Sequence, residues 1–175
     1  MQTSLVRLAV VVTAIVGSVV ALPGNGDSLL HASQKEEGGQ KVPYTVHSGY
    51  FRRNDSGLED PLHALVITDQ KRFDQIFGVA FTMGAKPKIL PEKGFDTLVV
   101  CALIHQGNKV WSYTVEGVTQ EEGVLTIKYK ATAADGGTAM FASPLIVSVP
   151  KGNYRQVRFV ENNKVVAEPK FPAKE

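Results

Sequence analysis

A run of seven consecutive apolar residues at positions 98–104 constrains the fold more than any other part of this chain. Gly94 precedes the run and Gly107 follows it, so turn-forming residues bound it on both sides. Seven residues suit a β-strand buried on both faces, whereas a helix usually needs ten or more. We therefore expect a central strand over residues 97–105. One face should carry Val99, Cys101 and Leu103, and the other Val100, Ala102 and Ile104.

The segments after this run alternate apolar and polar residues, as half-buried strands do. Residues 109–118 and 124–131 are separated by a turn that ends at Gly123, and we expect them to form a meander with the central strand. Further strands are predicted over residues 41–50, 63–67, 144–149 and 155–160. The last of these should pair with Val165-Val166 through a tight turn at residues 161–164.

One short helix is expected over residues 69–77. Thr68-Asp69 is a typical helix start, Phe73, Ile76 and Phe77 share one face, and Gly78 should end the helix. A helix this short is marginal alone, so it must pack on a sheet. The predicted fold class is mainly β: an antiparallel β-sandwich or curved sheet with one short packed helix.

The chain has the length and hydrophobic content of one ordinary domain, at 175 residues and 43% hydrophobic. Residues 1–21 contain Arg7 followed by an apolar run and end in Val19-Val20-Ala21, which predicts a secretory signal peptide. Residues 22–41 are rich in glycine and charge, which predicts a flexible linker. We expect a single β-rich domain over residues 42–167 and a frayed tail over residues 168–175.

The predicted signal peptide places the protein outside the cytoplasm, as a periplasmic or secreted protein without a membrane span after cleavage. An uncleaved N-terminal membrane anchor is the alternative. The formal charge of the whole chain is +2. If Arg7 is removed with the signal, 18 Lys and Arg remain against 17 Asp and Glu, and the charge is +1. So small a charge argues against a nucleic-acid partner.

No catalytic signature is present in the sequence, so we assign no catalytic, cofactor-binding or metal-binding residue and expect no cofactor. The one cysteine, Cys101, lies inside the apolar run, which favours a buried, inert thiol. His47, His63 and His105 lack metal-ligand spacing and could form a site only if the fold brought them together. The oxygen-rich loop at residues 54–60 lacks the acidic spacing of an EF-hand and favours a solvated turn. The sequence thus favours a non-enzymatic protein.

Four residues of the type that dominates protein interfaces stand together at the end of the first predicted strand: Tyr50, Phe51, Arg52 and Arg53. Exposed aromatic and arginine side chains supply much of the energy of protein–protein binding. The cluster is therefore our candidate partner-binding site. The alternative is an ordinary strand end with one aromatic side chain in the core.

Residues 62–159 resemble the PrcB C-terminal-like domain family, which comprises exported bacterial modules named after a subunit that associates with and stabilises a surface protease. Four features carry the resemblance: the aromatic helix at residues 72–77, the hydrophobic strand from Phe95-Asp96 to Gly107, the aromatic strand at 111–118 with its acidic-glycine turn, and the strand from Pro144 to Val149-Pro150-Lys151. The resemblance implies a non-catalytic module that binds a partner. We therefore expect an exported protein-binding or stabilising module whose partner is another exported protein, and the alternative is an extracytoplasmic enzyme or metal-binding protein that uses His47, His63 and His105.

Overall fold

The computed structural model describes residues 39–80 and 86–173. The elements in this part of the chain are β1 (Gln40–Lys41), β2 (Thr45–His47), β3 (Tyr50–Arg52), β4 (Leu62–Ile67), α1 (Gln70–Ile76), β5 (Phe77–Val79), a 3-10 turn (Gly94–Asp96), β6 (Leu98–Gly107), β7 (Lys109–Glu121), β8 (Val124–Asp135), β9 (Phe141–Pro150), β10 (Gln156–Glu161) and β11 (Lys164–Ala167). Strands make up 56% of the structure and helices 8%, which confirms the predicted fold class.

Two packed sheets form the body of the domain. One has five strands in the order β1-β7-β8-β10-β11, and the other has four in the order β2-β9-β6-β4. All neighbouring strands are antiparallel except β8 and β10, which run parallel. The inward faces of both sheets share one apolar cluster, and a second cluster lies between the outer face of the four-stranded sheet and α1.

The predicted central strand is β6, which lies between β9 and β4 and is buried on both faces. Val99, Cys101 and Leu103 point into the cluster between the sheets, as predicted. Val100, Ala102 and Ile104 point into the cluster under the helix. The uninterrupted apolar run is thus explained by two separate cores, one on each side of the same strand.

Helix α1 begins where the sequence predicts, with Asp69 as its N-cap. The Asp69 carboxylate accepts a hydrogen bond from the backbone N–H of Arg72 at 2.8 Å, which satisfies one of the free donors of the first turn. Phe73 and Ile76 are buried against the sheet. At Phe77 the chain passes directly into β5, which pairs with β3 as a small two-stranded sheet. Strand β5 is not predicted from the sequence, in which Gly78 indicates only the end of the helix.

The expected meander of the central strand with the next two strands is wrong. Strands β7 and β8 do form a hairpin, but β6 pairs with β4 and β9 and belongs to the opposite sheet. Gly107, with φ of 144°, lies where β6 gives way to β7. This conformation is easily reached only by glycine, and here the chain leaves one sheet for the other.

The predicted hairpin between β10 and β11 is confirmed. Asn162 and Asn163, between the two strands, have φ of 47° and 67°, as a two-residue type I′ turn requires. The Asn162 side chain also exchanges two hydrogen bonds with the backbone of Ala131, at 3.1 and 3.2 Å. The turn therefore extends the parallel pairing of β8 and β10.

The folded domain includes residues on both sides of the predicted limits, residues 42 and 167. β1 includes the last two residues of the predicted linker. At the other end, Phe171 donates to the carbonyl of Arg155, and Val157 donates to the carbonyl of Pro169. The predicted frayed tail is therefore held along β10 as far as Phe171. The predicted signal peptide, residues 22–38 of the linker and residues 174–175 lie outside the described residues. Within the described residues, no helix has the length and apolar character needed to cross a membrane.

Candidate functional site

The four candidate residues at β3 divide between the two faces of the strand. Side chains alternate along an extended chain, so Tyr50 and Arg52 face the interior while Phe51 and Arg53 face outward. The Tyr50 ring meets Phe73 edge-on, with ring centroids 5.1 Å apart. Its hydroxyl accepts a hydrogen bond from the backbone N–H of Leu90 at 2.9 Å. Tyr50 is therefore a packing residue that joins β3, α1 and the segment before β6.

The Arg52 side chain also points toward the interior and is held there by hydrogen bonds. Its guanidinium donates to the Ser56 hydroxyl and to the Leu58 carbonyl, each at 3.1 Å. Its Nε atom is buried and has no hydrogen-bond partner among the described residues. The two bonds reach across the loop after β3, so Arg52 fixes that loop.

Phe51 is a large apolar side chain on the outside of the domain, with 47% of its surface exposed. It pairs with Gly78 across the small sheet, and its ring lies directly over that glycine. A Cβ atom added at Gly78 would be 2.5 Å from Cζ of the ring. Gly78 thus provides the space in which the tip of the ring rests, and about half of the side-chain surface remains exposed.

Arg53 lies two residues beyond Phe51 on the same outward side, roughly 7 Å along the strand. Its backbone N–H donates to the carbonyl of Ile76 at 2.8 Å, which continues the β3–β5 pairing. Its Nε atom is 3.2 Å from Oδ1 of Asp55, and this hydrogen bond lowers the pKa of the Asp55 carboxyl. The guanidinium borders an open polar groove of about 820 Å³. The other side of the groove is formed by α1 residues Gln70, Lys71, Arg72, Asp74 and Gln75.

The fold does not bring His47, His63 and His105 together. His47 and His63 lie on the two outer strands of the four-stranded sheet, β2 and β4, with β9 and β6 between them. His105 is on β6, one position along from the residue that pairs with His63, so its side chain points to the opposite face. No group of three or more metal-ligating side chains exists among the described residues, the loop at 54–60 included.

His47 forms a buried pair with Ser148. Its Nδ1 atom lies 3.2 Å from the Lys88 carbonyl and must carry a proton to bond there. Its Nε2 atom therefore accepts from the Ser148 hydroxyl at 2.8 Å. Ser148 is only 2% exposed, so its oxygen is closed to a substrate, although the pair has the arrangement of an activated nucleophile. Here it joins edge strand β2 to β9.

His105 belongs to a polar network at one end of the sandwich. Nδ1 lies 3.0 Å from the hydroxyl oxygen of Tyr113, and Nε2 lies 3.4 Å from the carboxylate of Glu161. The Tyr129 hydroxyl donates to the same carboxylate at 3.1 Å. The His105 ring also stacks on Trp111, with centroids 4.1 Å apart. The network ties β6, β7, β8 and β10 together.

Burial sets the protonation of this network. Burial lowers the pKa of His105, and the Glu161 charge opposes that shift. Burial also raises the pKa of the Tyr113 and Tyr129 phenols, and Glu161 raises both further. The phenols are therefore neutral hydrogen-bond donors at physiological pH. Burial raises the pKa of the Cys101 thiol to about 12, which leaves it inert as a nucleophile.

The sequence does not predict either of these two polar arrangements, the His47–Ser148 pair and the His105 network. His47 and Ser148 are 101 residues apart, and no local pattern connects them. A partial signal existed for the second one. His105 directly follows the apolar run and falls on the same face as Leu103. Tyr113 and Tyr129 fall on the apolar faces of strands whose residues alternate in polarity. The polar atoms of all three side chains therefore need hydrogen-bond partners inside the sandwich.

Comparison of the chain with models of known families, with curated proteins and with solved structures finds no match. The resemblance to the PrcB C-terminal-like domain family therefore stays a prediction. Any proposal about function has to rest on the residues themselves.

Proposed function

We propose that this chain is an exported, non-enzymatic module that binds another exported protein through the outward side of β3. The single observation that carries the proposal is the placement of Phe51, which is half-exposed and lies over Gly78 next to Arg53. Exposed aromatic rings and guanidinium groups are among the side chains that most often dominate interface energetics.

Rigid placement makes this surface suited to binding. The β3–β5 pairing holds the backbone on both sides of Phe51, and Tyr50 anchors the strand from below against Phe73. A segment whose backbone is already held loses little backbone entropy when a partner covers it. The polar groove between Arg53 and α1 would form the hydrated rim of such an interface.

The roles of the histidines and of the cysteine also favour binding over catalysis. His47 and His105 hold strands together through internal hydrogen bonds, and Cys101 is buried and protonated. The export part of the proposal rests on the sequence of residues 1–21, where Arg7 precedes the apolar run.

The test is capture of partners from the envelope and culture-medium fractions by the full chain and two double variants. Phe51→Ala with Arg53→Ala removes the proposed contact. Met140→Ala with Lys164→Ala is the matched control, because it truncates a 77% exposed apolar residue and an exposed cation elsewhere. The proposal predicts that one set of proteins is captured by the wild type and by the control but not by the β3 variant. Equal capture by a correctly folded β3 variant would contradict it.

A further inference from the structure

The neighbours of His105 fix its tautomer. Tyr113 donates its single hydroxyl proton to the carbonyl of Ser143 at 2.8 Å, because a carbonyl oxygen can only accept a hydrogen bond. The Tyr113 oxygen lies 3.0 Å from Nδ1 of His105, and it must therefore accept from that nitrogen. The proton of neutral His105 thus lies on Nδ1, which leaves Nε2 with a lone pair and no hydrogen.

This bare Nε2 atom faces a second acceptor, the carboxylate of Glu161. Nε2 lies 3.4 Å from Oε2 of Glu161, and the Tyr129 hydroxyl already donates its proton to the same oxygen at 3.1 Å. A neutral imidazole and a carboxylate place two lone pairs opposite each other here, with no proton between them. The hydrogen bonds of the network are complete only when it takes up one further proton at this contact.

Glu161 supplies the one charge that raises the pKa of His105 among the described residues. The side chains around the two groups on the neighbouring strands are neutral at physiological pH: Leu62 on β4, Ser143 on β9, Trp111 and Tyr113 on β7, and Tyr129 on β8. The charged residues nearest in register are exposed: Lys164 opposite Glu161, and Lys109 and Asp135 at the outer ends of β7 and β8. The state of the contact therefore depends mainly on His105 and Glu161 themselves.

The contact can exchange protons with solvent, because the side chains of His105 and Glu161 are 13% and 14% exposed. The ring of Trp111 stacks on the imidazole with centroids 4.1 Å apart, and an aromatic face attracts a cation at this distance. Burial lowers the pKa of His105 below its ordinary value of 6.5, and the Glu161 charge opposes the shift. The proton is therefore taken up below pH 6.5.

We propose that the His105–Glu161 contact is a pH-controlled clamp, in which one proton taken up in mild acid converts two opposed acceptors into a charge-assisted hydrogen bond between the sheets. His105 lies on β6 of the four-stranded sheet, and Glu161 lies on β10 of the five-stranded sheet. The new bond links the sheets close to Gly107, where the chain crosses between them, and close to the Asn162-Asn163 turn. This device does not depend on the proposed binding surface at β3.

The clamp closes locally while the whole protein becomes less stable. Because the pKa of His105 is lowered in the folded chain, the unfolded chain binds the proton more readily at any pH near the transition. The free energy of unfolding therefore falls in acid even though the folded protein gains a bond between its sheets.

The first test is a pH titration of the full chain, followed by the fluorescence of Trp111 and by the nitrogen chemical shifts of the histidine rings. Trp111 is the one tryptophan of the sequence, and an imidazolium stacked on an indole quenches its emission. The wild type should show one transition below pH 6.5, and above it the shifts of His105 should report the Nδ1–H tautomer. The Nε2–H tautomer at pH 8, or constant fluorescence from pH 8 to pH 4.5, would overturn the proposal.

Glu161→Gln keeps the size of the side chain and supplies an amide N–H that can donate to neutral Nε2. The variant should lower the midpoint by at least about one pH unit, because it removes the charge that favours the imidazolium. His47→Gln is the matched control, since burial also lowers the pKa of His47, and it should leave the Trp111 transition unchanged. An unchanged midpoint in folded Glu161→Gln, or loss of the transition in His47→Gln, contradicts the proposal.

Tyr113→Phe tests the tautomer by removing the acceptor at Nδ1. The ring can then place its proton on Nε2 and donate to Glu161 without an added proton, so the nitrogen shifts of His105 should report the Nε2–H tautomer at pH 8. Retention of the Nδ1–H tautomer would contradict the proposal. A double-mutant cycle of His105→Ala and Glu161→Ala tests the clamp, and denaturant titration should show a more favourable coupling below the wild-type midpoint than at pH 8. Equal coupling at both pH values would show that the proton does not link the sheets.

Discussion

The Nε2 atom of His47 lies 2.8 Å from the Oγ atom of Ser148, and both side chains are buried, at 6% and 2% exposure. The two residues lie on paired strands, with β2 at the edge of the sheet and β9 inside it. Because β2 has only three residues, this side-chain bond is a substantial part of what fixes the strand. The pair therefore links the titration of a histidine to the attachment of an edge strand.

Acid should destabilise the protein through His47. Burial holds its pKa below the ordinary value of 6.5, against two opposing backbone hydrogen bonds. The unfolded chain then binds the proton more readily than the folded one. The contribution of His47 to the free energy of unfolding is therefore fully present above pH 6.5 and is lost as the pH falls below that value. Denaturant titrations from pH 7.5 to pH 4.5 should show a weaker pH dependence for His47→Gln than for the wild type.

His105→Gln serves as the comparison for this experiment, because burial also lowers the pKa of His105. Each single variant should remove part of the acid sensitivity, and the double variant should remove more. An identical pH dependence in the wild type and in His47→Gln would show that the buried pair does not contribute.

Shortening a buried side chain of the central strand should lower the free energy of unfolding substantially. Leu103 is 0% exposed and lies in the cluster between the two sheets. Leu103→Ala should lower the free energy of unfolding by about 2–5 kcal/mol, through lost transfer energy and the cavity that remains. Denaturant titration measures this directly, and a loss well below about 1 kcal/mol would be inconsistent with a central position.

Arg52 and Arg53 should behave differently although they are adjacent and chemically identical. Arg52→Ala removes two partly buried hydrogen bonds to the loop after β3 and should cost about 1–3 kcal/mol. Arg53→Ala removes a solvent-exposed ion pair with Asp55 and should lower the stability much less than Arg52→Ala does. Thermal or denaturant melts of the two single variants provide the comparison. Equal losses would show that the two side chains are not divided between the faces of β3 as described.

Gly78→Ala should displace the Phe51 ring without unfolding the protein. The new methyl group would lie 2.5 Å from Cζ of the ring, and the half-exposed ring can turn away from it. We expect a stability change below about 1 kcal/mol, since a surface ring can move more easily than a core residue, together with reduced partner capture. Capture at the wild-type level with a displaced ring would show that the position of Phe51 does not matter.

Local pattern predicted most strands and the helix, but not which strands become neighbours. The two faces of β6 and the Asn162-Asn163 turn follow from alternation and turn chemistry within a few residues. The sheet to which β7 belongs depends on the chain crossing between sheets at Gly107. The parallel contact of β8 with β10 joins Val124 to Gln156, which no local pattern connects.

The candidate site could be predicted only in part for a related reason. Alternation along β3 implies that Tyr50 and Arg52 share one face and that Phe51 and Arg53 share the other. The inward face is decided by the position of Phe73, and so by how α1 packs on the sheet. The sequence shows that four residues of types common in protein interfaces are adjacent. Only the tertiary structure shows that two of them face the interior and two face outward.

The most direct test of the central claim is site-specific photo-crosslinking in the cells that produce the protein. A benzophenone amino acid replaces Phe51 in the full chain, and in a second variant it replaces the exposed Met140. Adducts are identified by mass spectrometry in the envelope and culture-medium fractions. The account predicts one dominant exported protein linked to position 51 and absent from position 140. The same adducts at both positions, or adducts at position 140 alone, would contradict a binding surface at β3.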